Sequence, residues 1–276
     1  MIKLENVYFQ YPTGIQALTN VNLEIREGEV LAIMGENGAG KTTLIKHLNG
    51  LLKPSKGKIL VDNLDTRKVS VAELSKKVGI VFQNPENQFF CETVWEEVAY
   101  SLKNFNYPKN LIAERVEEVL KLLNLEKFKA STPFKLSEGE KRRLALACVL
   151  AWNPKYLALD EPILGQDYDE KLKLQEIIKR VASEDKTVII ATHDTDFITE
   201  LDCRVVLMSK GRIIADGKAE DILGKPNLLS KVNLEEAEIV KLFFMLEELN
   251  LPKNVFTVDK AKKVLIERFR RLRRIP

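Results

Sequence analysis

The sequence has few residues that could build a disulfide framework or a metal site. It contains three cysteines and two histidines among 276 residues. Cys91, Cys148 and Cys203 lie far apart, without the short spacing of a metal site and without the even number that a set of disulfides requires. We therefore interpret them as buried or incidental thiols of a reducing cytosol.

Long apolar runs and a strong charge of one sign are also missing. No stretch approaches the roughly 20 residues that a membrane-spanning helix needs, and no secretory signal is recognisable at the start, so we expect a soluble intracellular enzyme that reaches a membrane only through a partner. The net charge of +3 is too small to indicate nucleic-acid binding, and none is expected. The length and the 45% of hydrophobic residues suit one sizeable domain with an appendage.

Residues 35–42 read GENGAGKT, the pattern of a phosphate-binding P-loop. An apolar strand pattern precedes this loop and a helical pattern follows it, as the motif requires. Its glycines allow backbone N–H groups to surround phosphates, its lysine supplies a charge, and its threonine offers a hydroxyl to Mg²⁺. The predicted nucleotide contacts are Gly35, Glu36, Asn37, Gly38, Ala39, Gly40, Lys41, Thr42 and Thr43, and Thr42 is also a predicted metal ligand.

Two further apolar strand patterns end in polar residues. The segment at 156–159 leads into Asp160 and Glu161, and the segment at 188–191 leads towards His193. Because ligands bind at the carboxyl edge of a parallel sheet, these side chains are expected to meet the P-loop there. We predict that Asp160 reaches Mg²⁺, that Glu161 faces the water beyond the γ-phosphate, and that His193 senses that phosphate.

Between the P-loop and the first of these segments, LSEGE at 136–140 resembles the LSGGQ signature of the ATP-binding-cassette (ABC) family. The other motifs of that family follow in the same order along the chain, so the resemblance extends over residues 1 to about 220. It implies ATP as the nucleotide, with Mg²⁺. It also implies roles for five further residues: Tyr11 as the adenine platform, Gln83 as a catalytic residue and metal ligand, Ser137 and Gly139 as signature contacts, and Asp167 in the D-loop.

The resemblance, together with the strand and helix patterns, implies an α/β fold of the P-loop NTPase type. We expect a mostly parallel sheet, an antiparallel β subdomain from the strand patterns at 1–30 and 57–64, and a helical subdomain at about 86–146 that carries the signature. The cassette is predicted over residues 1–222, and a small helical appendage, expected to serve dimerisation, over residues 223–276.

Two positions depart from the family pattern. Glu138 replaces the first signature glycine, and Ile163 replaces the threonine that usually follows the proline after the acidic pair. A carboxylate pointing at the γ-phosphate would repel it, so we expect Glu138 to turn outward and to cap the following helix. The altered signature favours a dimer with a paralogue over a dimer of identical chains.

The phrase VFQNPENQFF at 81–90 and the GEKRR of the signature most resemble the ATPases of energy-coupling-factor (ECF) importers of vitamins and metal ions. The resemblance implies a dimeric sandwich that hydrolyses Mg-ATP at the cytoplasmic face of the cell membrane, as a peripheral subunit. Its partners would be a second ATPase subunit, a transmembrane coupling subunit and a substrate-binding membrane subunit. The alternatives are the ATPase of another ABC transporter class, or a soluble ABC protein outside transport.

Several residues allow more than one interpretation. Tyr8 is the alternative to Tyr11 as the adenine platform, and His47 is interpreted as a packing or surface residue rather than a ligand. Phe89 and Phe90 are either core residues or part of the groove that receives a membrane subunit. Each alternative makes a different prediction about burial.

The C-terminal region carries two amphipathic patterns. Apolar residues at helical spacing predict one helix over 234–249, set among glutamates, and a second helix that contains Leu265, Phe269 and Leu272. The second helix is dense in Lys262, Lys263, Arg268, Arg270, Arg271, Arg273 and Arg274. The two helices are interpreted as packing on their own cassette, as a dimerisation module, or, for the basic helix, as a contact with anionic lipid.

Overall fold

A computed structural model describes residues 1–249, 251–252 and 255–272 of the chain. Arg273 and Arg274 of the predicted basic helix lie outside the described residues. The strands are β1 Ile2–Gln10, β2 Gln16–Ile25, β3 Val30–Met34, β4 Lys56–Val61, β5 Leu64–Asp65, β6 Val78–Val81, β7 Tyr156–Asp160, β8 Thr187–Thr192, β9 Arg204–Ser209 and β10 Arg212–Lys218.

The α-helices are α1 Lys41–Leu48, α2 Val71–Ser75, α3 Val94–Asn104, α4 Lys109–Leu122, α5 Glu138–Leu150, α6 Tyr168–Ser183, α7 Thr195–Thr199, α8 Ala219–Leu223, α9 Pro226–Leu229, α10 Glu238–Met245 and α11 Val258–Leu272. Short 3₁₀ turns lie at Pro85–Gln88, Glu126–Phe128, Pro133–Lys135, Ser230–Val232 and Glu247–Leu249. Among the helices of the described residues, none is long and apolar enough to cross a lipid bilayer.

The strands form two sheets. The first is antiparallel, with the order β2-β1-β4-β5, and the second has the order β10-β9-β3-β8-β7-β6. In the second sheet β9, β3, β8, β7 and β6 pair in parallel, and β10 is antiparallel to β9. The predicted α/β fold, with a mostly parallel sheet and an antiparallel subdomain, is confirmed.

The core divides at the parallel sheet, because successive strand side chains point to opposite faces. In β3, Leu31 and Ile33 pack towards α1 and the antiparallel sheet, whereas Ala32 and Met34 pack towards the helices on the other face. His47 of α1 is fully buried in the first of these layers with its ring edge against Phe9. The interpretation of this histidine as a packing residue is confirmed.

A half-buried carboxylate joins the two sheets at one end. Asp62, directly after β4, accepts hydrogen bonds from the Tyr156 hydroxyl at 2.6 Å, Lys155 at 2.9 Å and Lys77 at 3.0 Å. Burial opposes the charged form, but these hydrogen bonds outweigh it and hold the pKa of the Asp62 carboxyl well below its ordinary value. The starts of β6 and β7 are therefore tied to the antiparallel sheet by a charged network.

The C-terminal region differs from its prediction in one respect. Instead of a helix over 234–249, α10 begins only at Glu238, and Leu234 lies in extended chain and packs with Leu229 and Val232 into the main core. Asn233 interrupts helical geometry just before it, because its φ of 51° lies in the left-handed region. The predicted cassette boundary at residue 222 falls inside α8, and the division into two domains stays a prediction.

Candidate functional site

The P-loop connects β3 to α1 at the carboxyl edge of the parallel sheet. Gly40 occupies the N-cap of α1 with a φ of 105°, a conformation that other residues rarely adopt. A Cβ atom added to Gly40 would lie 2.6 Å from the carbonyl oxygen of Ala17. The sequence therefore needs glycine here for both the backbone turn and the close approach of β2.

Lys41 is buried at the centre of this loop, with 5% of its surface exposed. Its ammonium donates hydrogen bonds to the carbonyl oxygens of Gly35 at 2.7 Å and Glu36 at 3.1 Å. It also lies 3.2 Å from Oε1 of Glu161, an ion pair between two side chains that are both almost fully enclosed. The lysine charge is thus fixed in the loop and faces the acidic end of β7.

Asp160 ends β7 next to the P-loop threonine. The Thr42 hydroxyl donates to Oδ1 of Asp160 at 2.9 Å. Burial raises the pKa of the Asp160 carboxyl, and the adjacent Glu161 charge adds to that shift, while Thr42, Lys46 and Lys41 oppose it. Carboxylate and hydroxyl oxygens are ligands that Mg²⁺ prefers, so Thr42 and Asp160 fit a magnesium site.

Glu161 follows with a φ of 47°, in the left-handed region that non-glycine residues seldom occupy. Its Oε2 lies 3.0 Å from Nδ1 of His193, which follows the neighbouring strand β8. Its Oε1 is buried and has no hydrogen-bond partner, because the contact with Lys41 lacks hydrogen-bond geometry. One carboxylate oxygen is thus held by the histidine, and the other lies beside the Lys41 ammonium.

These residues surround a cavity of about 380 Å³. The Tyr11 hydroxyl is 2.9 Å from Oγ1 of Thr43, and the Tyr11 ring packs edge-on against Phe9, so the tyrosine is placed at the mouth of the P-loop. Tyr8 is not among the lining residues. The lining comprises Tyr11, Ile15, Gln16, Ala17, Asn37, Gly38, Gly40, Lys41, Thr42, Thr43, Gln83, Glu161, Leu164 and His193.

Sequence reasoning missed four lining residues. Ile15, Gln16 and Ala17 enter the cavity because the chain from Tyr11 to Ile15 closes into a loop, with the Tyr11 N–H donating to the Ile15 carbonyl at 2.9 Å. The only signal for this in the sequence is the turn residue Gly14. Leu164 has no signal of its own beyond its closeness to the acidic pair.

Seven predicted site residues are absent from this lining: Gly35, Glu36, Ala39 and Asp160 belong to the P-loop and the end of β7 beside it, whereas Ser137, Gly139 and Asp167 belong to other elements. Ser137 caps α5, and Gly139 follows in the first turn of that helix. Asp167 caps α6 by accepting the Glu170 N–H at 2.9 Å. A single chain therefore brings the P-loop, the acidic pair, Gln83 and His193 together, but not the signature or the D-loop.

The side chain of Glu138, which replaces the first signature glycine, points away from the protein. The Glu138 side chain is 69% exposed and pairs with Lys141 at 3.3 Å, so its predicted outward orientation is confirmed. The prediction that Glu138 caps the helix is wrong: Ser137 is the cap, and the Glu140 side chain completes a capping box by accepting the Ser137 N–H at 2.8 Å. Ile163 packs in the core.

Comparisons with known proteins agree with this geometry. The family model described as ABC transporter matches residues 18–164. The chain is 45% identical over 242 residues to a putative ABC transporter ATP-binding protein of Pyrococcus furiosus, covering 88% of this chain and 92% of that protein. It is 39% identical over 279 residues to the energy-coupling factor transporter ATP-binding protein EcfA2 of Clostridium tetani, covering 97% of both.

Two solved structures are similar to the chain over most of its length. The first is cbiO1 of Clostridium perfringens, part of the ABC transporter complex cbiONQ, with a TM-score of 0.75, 37% identity and coverage of 89% of this chain and 98% of that one. The second is a dimeric ATP-binding cassette in a post-hydrolysis state with ADP and Pi, with a TM-score of 0.73, 34% identity and coverage of 79% and 99%.

The raised pKa of Asp160 gives a prediction about stability without nucleotide. An acid whose folded pKa exceeds its unfolded pKa destabilises the fold as pH rises through the interval between the two values. Asp160→Asn should therefore raise the melting temperature at pH 7 by a few degrees, and this gain should vanish below about pH 3, where the wild-type carboxyl is protonated in both states. Thermal unfolding across this pH range, with exposed Asp202→Asn as the matched control, measures the effect. A lower melting temperature for Asp160→Asn at pH 7 would contradict it.

Proposed function

This chain belongs to the ABC transporter family as one of its ATPases, and from that premise we propose that it powers an ECF-type importer of vitamins or metal ions. The identified family agrees with the resemblance found in the motifs. Similarity over nearly the full length to an ECF ATP-binding protein supports the importer type. The observation that carries the proposal is that Lys41, Thr42, Glu161 and His193 line one cavity, with Asp160 hydrogen-bonded to Thr42 behind it.

In the proposed mechanism the P-loop holds the ATP phosphates, while the acidic pair acts on Mg²⁺ and on the water beyond the γ-phosphate. Lys41 and the loop N–H groups bind the β- and γ-phosphates. Glu161 orients the attacking water and accepts its proton on Oε1, which faces Lys41 until the phosphates take up the lysine charge, while His193 holds Oε2. Thr42, Asp160 and Gln83 would hold Mg²⁺, which neutralises phosphate charge when bound.

A second ATPase subunit would complete the site. Ser137 and Gly139 lie outside the cavity of their own chain, so we propose that the signature of each subunit closes over the γ-phosphate of the other. The dimeric cassette with ADP and Pi supports such a sandwich. The exposed Glu138 in this signature favours a paralogous partner, whose own signature would face the cavity described above.

The proposed contact with a membrane subunit lies beside the Q-loop. Phe89 is buried, whereas Phe90 is 60% exposed and packs edge-on against Tyr100 with 4.6 Å between ring centroids. The carboxylate of Glu97 fixes this turn by accepting the N–H groups of Phe90 at 3.0 Å and Cys91 at 2.8 Å. An exposed aromatic pair on a rigid turn suits a protein interface, and it would place the chain at the cytoplasmic face of the membrane as a peripheral subunit.

The role of Glu161 predicts a separation of binding from turnover. Glu161→Gln should keep Mg-ATP binding and lower hydrolysis by at least ~100-fold, because the amide cannot accept a proton. Lys41→Ala should weaken binding itself. Nucleotide titration and phosphate release, measured in the complex that is active, test both changes, with exposed Glu184→Gln as the matched control. Wild-type turnover by Glu161→Gln would contradict the assignment.

The docking proposal makes its own prediction. Phe90→Ala should reduce co-purification with the membrane subunit encoded by a neighbouring gene, and with it substrate uptake, because an aromatic anchor at an interface carries about 2 kcal/mol or more. ATP binding should not change. Phe134, an equally exposed phenylalanine, provides the control Phe134→Ala. Equal co-purification of the two variants would count against the Phe90 surface.

The appendage is proposed to hold two ATPase subunits together between cycles. A truncation after Lys225 would remove the buried Leu229, Val232 and Leu234, so the chain should instead end at Glu236. This shorter chain should still bind ATP, but it should no longer pair with its partner subunit without nucleotide. Sedimentation of both forms measures this, and an unchanged nucleotide-free dimer would refute the dimerisation role.

A further inference from the structure

The short helix α7 begins two residues after His193 and is tightly fixed on its inner side. Phe197 and Ile198 are buried, and the Gln175 side chain donates to the Phe197 carbonyl at 2.9 Å. Asp194 caps α7 by accepting the Phe197 N–H at 2.8 Å, and Lys171 holds the same carboxylate at 2.5 Å. His193 is therefore followed directly by a short helix whose inner side is held in place. We call residues 193–200 the switch segment.

The outer side of the switch segment is held by the first residues of both appendage helices. Oδ1 of Asp196 accepts the N–H of Glu238, which begins α10, at 2.8 Å. Oε1 of Glu200 accepts the N–H of Val258, which begins α11, at 2.9 Å. Each of these carboxylates binds one of the backbone donors that a helix N-terminus leaves without an internal partner.

The cap on α10 is informative because the local sequence provides none. The N-cap position of α10 is Ala237, which has no side chain that could accept a hydrogen bond. A helix start of this kind depends on an acceptor from elsewhere in the fold, and Asp196 supplies it from a position 42 residues earlier. The start of α10 is thus defined by the switch segment rather than by its own sequence.

The two appendage helices form one unit, so the two caps act together. Phe256 packs with Ala237 and Val240 of α10, and Phe243 packs with Val255 and Ala261. The chain that leads into this unit also contacts the P-loop, where the Asn233 amide donates to Oε2 of Glu36 at 2.5 Å. Both the γ-phosphate side and the P-loop side of the nucleotide cavity are therefore in contact with the appendage or its connection.

We propose that Asp196 and Glu200 are positioning residues that tie the appendage to the switch segment, so that the placement of His193 and the position of α10 and α11 depend on each other. This inference rests on the proposed function, since it requires that His193 responds to nucleotide. Coupling between two sites is reciprocal in free energy. ATP should thus alter the appendage, and the appendage contacts should alter ATP hydrolysis.

Hydrogen exchange tests the first expectation, that ATP alters the appendage, in a chain that keeps the Asp196 and Glu200 contacts. Amide exchange of residues 238–245 and 258–264 is measured without nucleotide, with Mg-ADP and with Mg-ATP, using Glu161→Gln to prevent turnover. Exchange at the starts of α10 and α11 should differ about fivefold or more between the ATP and ADP states, within the usual range of coupling. Identical exchange in both states would overturn the inference.

A pair of double variants tests the second expectation, that the appendage contacts alter ATP hydrolysis. Asp196→Ala with Glu200→Ala removes both acceptors, whereas Asp196→Asn with Glu200→Gln keeps an oxygen that can accept each N–H. The alanine pair should lower kcat about fivefold with little change in KM and should abolish the nucleotide dependence of exchange. The amide pair should restore both. A purely structural role would instead raise exchange equally in every nucleotide state.

The outcomes also separate this inference from the proposed function. The coupling alone would be overturned if the wild-type chain binds and hydrolyses ATP but amide exchange in its appendage is the same in every nucleotide state. An alanine pair that keeps both kcat and the exchange difference would overturn it as well. A wild-type chain that does not bind Mg-ATP would overturn the proposed function and the inference together.

Discussion

The buried ion pair between Lys41 and Glu161 is the contact on which the site depends. Each of these charges would be costly alone in the interior, because desolvation of an unpaired ion costs several kcal/mol. The P-loop carbonyls fix the lysine, and His193 holds the glutamate at 3.0 Å. The pair therefore sets the positions of the P-loop and of the ends of β7 and β8 relative to one another.

The same pair makes the site responsive to nucleotide. A bound triphosphate competes with Glu161 for the Lys41 ammonium, because phosphate oxygens are the stronger and more numerous acceptors. The carboxylate that loses this contact keeps only His193, on the strand that leads into α7. In the proposed function, phosphate binding would therefore shift charge from the P-loop towards the switch segment.

The sequence predicts those parts of the fold whose constraints are local. The P-loop, the acidic pair after β7 and His193 after β8 could be placed because glycine conformation and strand patterning depend on neighbouring residues. The start of α10 could not, since its cap comes from Asp196, and the burial of Leu234 depends on its packing against the main core. The Asn233 contact with Glu36 spans 197 residues and leaves no pattern in the sequence.

The signature helix illustrates how one substitution changes a site without removing it. The Ser137 hydroxyl oxygen accepts the Glu140 N–H, so its proton remains able to donate outward. Two carboxylates, Glu138 and Glu140, now lie in the first turn, where they stabilise the helix and oppose an incoming anion. Glu138 is exposed and paired with Lys141, so its effect on a phosphate is screened and amounts to about 1 kcal/mol or less. In the proposed dimer, a signature of this kind would still close over a γ-phosphate, but less tightly than one with glycine at this position.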